Sequence, residues 1–169
     1  MRKQKGFSLI ELLIVVAIIL IIAAIAIPNL LRSRIAANEA SAVGSLRTIN
    51  TAEVTYASTY PSNGFANNLA TLGPGANGNV TATSTNAVLL DGVLGCNTAT
   101  ASAGACVKSG YTFNVSGPAA GTTPTSFYVS GAAPVTANQT GNRYFYSDAS
   151  GVIRYNATAV AQSTDNPLQ

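Results

Sequence analysis

Few side chains in this chain can do chemistry, and one of them stands in an improbable place. Glu11 lies four residues beyond Phe7 and five beyond Gly6, in the stretch "KGFSLIELL". It is the only ionisable residue between Gly6 and Leu31. Residues 12–27 are sixteen consecutive apolar positions, so this carboxylate opens a segment suited to lipid, where a charge costs ~2.5–3.5 kcal/mol at midplane and less near an end. Such an acid must be neutralised, reach the headgroups, or find a partner.

Elsewhere the inventory excludes more than it offers. The chain has no histidine, so neither a Ser-His-Asp nor a Cys-His arrangement can form, and the usual general base near neutral pH is missing. Asp91, Asp148 and Asp165 are too scattered for paired-carboxylate work, and no phosphate-cradling GxxxxGK[ST] run occurs. An enzyme is not expected, nor is a cofactor. Cys96 and Cys106, with nine residues between them, are the only cysteines, so a four-ligand Cys/His zinc site cannot be assembled from this chain. They form either a disulfide or two reduced thiols, depending on compartment. Four Asn-x-Ser/Thr triplets, at Asn79, Asn114, Asn138 and Asn156, follow from an Asn- and Thr-rich composition and carry no prediction.

The elements that hold these residues start with the apolar run. As a helix rising ~1.5 Å per residue, residues 7–31 span roughly 37 Å, enough to cross a hydrocarbon core of about 30 Å. A secretory signal peptide has a shorter apolar core and would be discarded. Here an acid lies within the block and the helical pattern continues past it. The formal charge of +3 equals the contribution of Arg2, Lys3 and Lys5, which should stay cytoplasmic, leaving the rest of the chain outside. An outward domain favours the disulfide. Without that leader the side-chain charges cancel, which argues against nucleic acid as a main ligand.

Beyond Pro28, which removes a backbone donor and predicts a bend or a locally unwound segment, the helix is expected to resume. Val43, Leu46, Ile49, Ala52 and Tyr56 form an amphipathic stripe, with Arg32, Arg34, Glu39 and Glu53 largely off it. Pro61, Gly64, Gly73, Pro74, Gly75 and Gly78 then punctuate a polar loop, with a short turn at Leu69 and Leu72. "AVLLDGVLG" suits either a brief helix or a strand, and helix is preferred. Aromatic and β-branched runs predict four antiparallel strands, at 111–115, 126–130, 143–147 and 152–156, the last pair joined at "DASG".

The stretch "KGFSLIELLIVVAIILIIAAIAIPNLLRSR" resembles the N-terminus of type IV pilins and of the related pseudopilins of type II secretion systems. The likeness covers roughly the first third of the chain. It implies that residues 1–6 are a leader, cut between Gly6 and Phe7 by a prepilin peptidase that also N-methylates Phe7. Residues 7–31 would then be a retained transmembrane and filament-core helix, 32–60 its amphipathic half, and 61–169 an outward domain. The implied fold is α+β, the long helix packed on a four-stranded sheet.

The implied function is a homopolymer. Glu11 meets the Phe7 amine of a neighbouring subunit, and Pro28 marks a segment reported as extended in related filaments. The subunit would start in the inner membrane, N-terminus inside, pass to an assembly platform, and end in an extracellular pilus serving adhesion, twitching or DNA uptake. The alternative is a periplasmic pseudopilus. Pseudopilins of the major class often bind calcium through acidic loops, which three scattered aspartates do not suggest, so the pilus is preferred. One departure stands out: the family's disulfide closes a loop near the C-terminus, whereas Cys96 and Cys106 precede the β runs. The helix between Phe7 and Tyr56 has no aromatic residue, so nothing supports electron conduction along it.

Overall fold

The structure is a computed structural model that describes residues 7–75, 81–96, 106–118 and 124–168. It divides into two compact units, Met1–Arg34 and Ile35–Gln169. One helix, α1 (Leu9–Thr59, 51 residues), contributes to both.

In the first unit α1 is apolar all round. Its most apolar 18-residue window has a mean hydropathy of 3.3 and none of it is buried, so by length and composition it can cross a membrane. α1 stays helical through Pro28, so of the bend or unwound segment expected there, the unwound form is absent. Loss of one N–H and crowding at one carbonyl are absorbed inside a helix whose remaining bonds hold it.

The second unit is an α+β layer pair. Ala42, Val43, Leu46, Ile49, Ala52 and Tyr56 are buried along one side of α1, as the stripe predicts, and they share a core with Tyr111, Phe113 and Phe145 of the sheet. Each such large side chain contributes about 1.5–3 kcal/mol on burial. The sheet is a six-stranded antiparallel meander, β1 (Cys106–Lys108), β2 (Tyr111–Ser116), β3 (Val129–Pro134), β4 (Tyr144–Asp148), β5 (Arg154–Asn156) and β6 (Asn166–Pro167), in that spatial order. Tyr111, Phe113 and Val115 alternate inward along β2 while Asn114 and Ser116 face solvent. Ser109 (φ 50°) and Gly110 (φ 73°) make the two-residue β1–β2 turn, whose positive φ values match the twist of a tight hairpin.

Six strands replace the expected four. β1 and β6 have three and two residues, too short for a periodicity, and Pro167 is tolerated because β6 is an edge. The second expected strand moves from 126–130 to Val129–Pro134. Thr125 is tied to the loop after α1 instead: its N–H donates to Asn63 O at 2.8 Å, and Phe65 N–H donates to Thr125 O at 3.0 Å. The weakly β-prone "GAAP" becomes strand because β2 and β4 pair with it from either side.

The run "AVLLDGVLG" is turn and irregular chain, not helix. The N–H groups of Ala87, Leu89 and Leu90 donate to carbonyls of Thr71 and Leu72 at 2.7–3.0 Å. Those carbonyls belong to the short helix α2 (Leu69–Leu72), capped by Asn68, where the turn was expected. Donors spent on a tertiary contact cannot build a local helix.

Candidate assembly site

The candidate site of the N-terminal unit is the start of α1. Phe7 is exposed, as is Glu11; Gly6 lies outside the described residues. Glu11 does have a partner here. Its Oε2 accepts the backbone N–H of Ser8 at 2.9 Å. Ser8 precedes the first helical residue and Glu11 is the third, so this is the reciprocal half of a capping box, an acid closing an orphan donor at a helix start. The Ser-x-x-Glu spacing was readable in "SLIE", but the reading of Glu11 as an assembly acid passed over it. A carboxylate at that place therefore has a role in the lone subunit, and the same oxygen pair faces solvent or lipid for a second. Pro28 lies nineteen positions beyond Leu9, inside α1, and is not brought to this site.

In the second unit the structure places two acids where the periodicity reading did not. Glu39 and Glu53 are buried, Glu53 fully. Glu39 Oε1 accepts the N–H groups of Asn142 (2.9 Å) and Arg143 (3.2 Å), and Oε2 accepts Arg143 Nε at 2.7 Å. The Arg143 guanidinium also lies 5.5 Å over the Phe145 ring and 5.4 Å over Tyr155, within cation–π range. Tyr111 donates to Arg143 O at 2.8 Å; burial, then the Glu39 charge, pushes its phenol well above the usual range. This cluster locks the Asn142–Arg143 turn onto α1.

Glu53 is the less satisfied of the two. Its Oε2 accepts Ala66 N–H at 2.8 Å, while Oε1 has no partner. Burial pushes its carboxyl up to about 8, against a smaller opposing effect of the Ala66 bond, so it is predominantly protonated at neutral pH. The spacing 39, 42, 46, 49, 53, 56 is itself a continuous stripe at intervals of three and four. Their charge, not their position, had put both acids outside it.

The Cys96–Cys106 disulfide is present, with Cα atoms 5.3 Å apart. Beside it Lys108 Nζ meets Asp91 Oδ2 at 2.7 Å. Lys108, Leu94 N–H and Val93 N–H all bond Asp91, holding its carboxyl below the usual range despite partial burial. Two links, one covalent and one ionic, thus join the 91–96 turn to β1. Among the described residues no group of three or more Cys, Asp or Glu is gathered as a metal site.

The chain thus joins in sequence a freely exposed apolar helix, long enough to cross a membrane and with an acid capping its start, to a disulfide-bridged α+β unit. Residues 1–27 match the family model of the prokaryotic N-terminal methylation motif. The chain is 67% identical over 39 residues to the type IV wide pilus major component PilA4 of Thermus thermophilus, covering 23% of this chain and 30% of that protein. It is 44% identical over 54 residues to the type IV major pilin protein PilA of Myxococcus xanthus, covering 32% of this chain and 24% of that protein. The chain thus spans less than a third of the length of either relative. No solved structure gives a significant match. The likeness to these two pilins lies in the N-terminal part of the chain.

Proposed function

We propose that the chain is the structural subunit of a type IV pilus. The observation that carries this reading is the exposure of the apolar N-terminal stretch of α1, which bears a single acid, Glu11. In water that surface would drive aggregation; in lipid, or in a bundle of like helices, it is matched. Passage between those two apolar surroundings avoids about 0.8 kcal/mol for every methylene that would otherwise meet water. A prepilin peptidase would cut between Gly6 and Phe7 and methylate Phe7. Residues 7–31 would stay as the filament core, 32–60 as the packing half of the helix and 61–169 as the outward domain.

Cleavage exposes a new amine at Phe7. Glu11 would then exchange its bond to Ser8 N–H for the charge-assisted contact with the Phe7 amine of a neighbouring subunit, setting the axial stagger. Pro28, already short of one helical hydrogen bond, marks where the helix can extend on assembly. Both relatives are named as pilus components, which favours a surface pilus over a periplasmic pseudopilus; adhesion, twitching and DNA uptake are the functions such a fibre would serve. The test is mass spectrometry of the N-terminus of sheared surface fibres. N-methylphenylalanine followed by Ser8 is the expected result, and fibres that lack this chain, or retain residues 1–6, would defeat the proposal.

A further inference from the structure

Arg32 and Arg34 have no task in the assembly reading. Both are exposed, and neither has an ion pair among the described residues, where the two salt bridges are Lys108–Asp91 and Arg143–Glu39. The next acid along α1, Glu39, is fully engaged by Arg143 and by two backbone N–H groups. Glu11 is roughly 32 Å or more away along the helix. Two guanidinium groups with ten N–H donors between them are therefore available to a partner from outside the chain.

Their position says which partner. The apolar run ends at Leu31, and Leu9 to Leu31 rises roughly 33 Å, against about 30 Å for a hydrocarbon core. When that segment spans a bilayer, the next turn stands at the level of the headgroup phosphates, on the surface opposite the Glu11 end. At ~100° per residue the two arginines project about 200° apart. They cannot close on one ligand; they reach phosphates on opposite flanks of the helix.

Resting on the membrane-spanning reading of residues 7–31, we infer that Arg32 and Arg34 form a collar that binds the phosphates of lipid headgroups and fixes the depth of the subunit before assembly. Guanidinium pairs with phosphate through parallel N–H···O bonds. Because the collar carries two charges and no pocket, it favours anionic headgroups by about fivefold per arginine and does not discriminate their stereochemistry. The amphipathic half of α1 is thereby held just clear of the lipid.

The experiment uses the full chain carrying Arg2→Lys, which keeps the charge of the leader and removes its label, with arginine labelled at ¹³Cζ, in phosphatidylcholine vesicles with and without phosphatidylglycerol. Solid-state NMR reads the dephasing of arginine carbon by lipid phosphorus, and hydrogen exchange of residues 12–27 reads insertion. Dephasing is expected in this chain, reduced by about half when Arg34→Gln is added and lost when Arg32→Gln and Arg34→Gln are both added, with a stronger signal when phosphatidylglycerol is present. Protected amides with no dephasing, or dephasing unchanged in the double variant, would overturn the collar and leave the membrane reading standing. Equal signals in both vesicles would overturn the anionic preference. Free exchange across residues 12–27 would instead overturn the membrane reading, and the collar with it.

Discussion

Two stretches of the same helix treat their acids in opposite ways. In the N-terminal stretch every large apolar residue is exposed and the acid sits at the helix start, bonded only to Ser8 N–H. In residues 35–59 the apolar residues of the stripe from Ala42 to Tyr56 are buried, Val54 standing off it and exposed, and so are both acids, one held by an arginine and one left half-satisfied. The first stretch is built to have its environment supplied from outside; the second has made its own. Its acids are compensated within the unit, whereas Glu11 keeps capacity for a partner.

The sharpest break in that comparison is Glu11→Ala. Fibre yield should fall by more than tenfold while the protein stays in the membrane fraction, because the second unit does not use Glu11; wild-type yield by electron microscopy and shearing would remove its assembly role. Next in size is Phe113→Ala, which empties a fully buried site. A loss of about 3–5 kcal/mol in denaturant unfolding is expected, whereas Ile18→Ala, on the exposed stretch, should leave the near-UV signal of the second unit unchanged. A similar loss from both would erase the contrast between the stretches.

Smaller again is the disulfide. Reduction, or the Cys96→Ser/Cys106→Ser variant, frees a loop of about ten residues and should cost about 2–3 kcal/mol. Fibres that form normally but unfold earlier would fit. An unchanged midpoint would mean that the Asp91–Lys108 pair and the core alone hold the turn.

The subtlest effect concerns Glu53. Its carboxyl titrates near 8 in the folded chain against 4.5 as the ordinary value. Between those pH values the unfolded chain has released the proton and the folded chain has not, so stability is highest below the lower value. It falls by at most about 1.4 kcal/mol per pH unit through the window, then levels off above pH 8. Glu53→Gln has no proton to lose. Its stability relative to the native chain should rise from pH 5 to pH 8, and parallel pH profiles for the two proteins would show that Glu53 is ionised throughout.

Much of the architecture was legible. The apolar run, the Val43–Leu46–Ile49–Ala52–Tyr56 stripe, the turn at Leu69 and Leu72, and most of the strand at 111–115 are local patterns whose side chains share one face whatever lies opposite. Legibility ended where partners came from far along the chain. The segment 87–95 lost its helix to carbonyls of α2, the second strand slid toward Pro134, and β1 and β6 exist only as neighbours of longer strands. At the candidate assembly site, the acid was readable by its setting, but its bond to Ser8 was overlooked.

By itself the sequence determined a lipid-compatible rod headed by one acid, because composition and helical period need no tertiary partner to act. It also determined that these 169 residues supply no histidine. Only the tertiary structure decided that Glu39 and Glu53 are interior groups, since whether a carboxylate on an apolar face is tolerated depends on what meets it. Arg143, more than a hundred residues away, satisfies one; the loop at Ala66 half-satisfies the other, and burial shifts its proton instead.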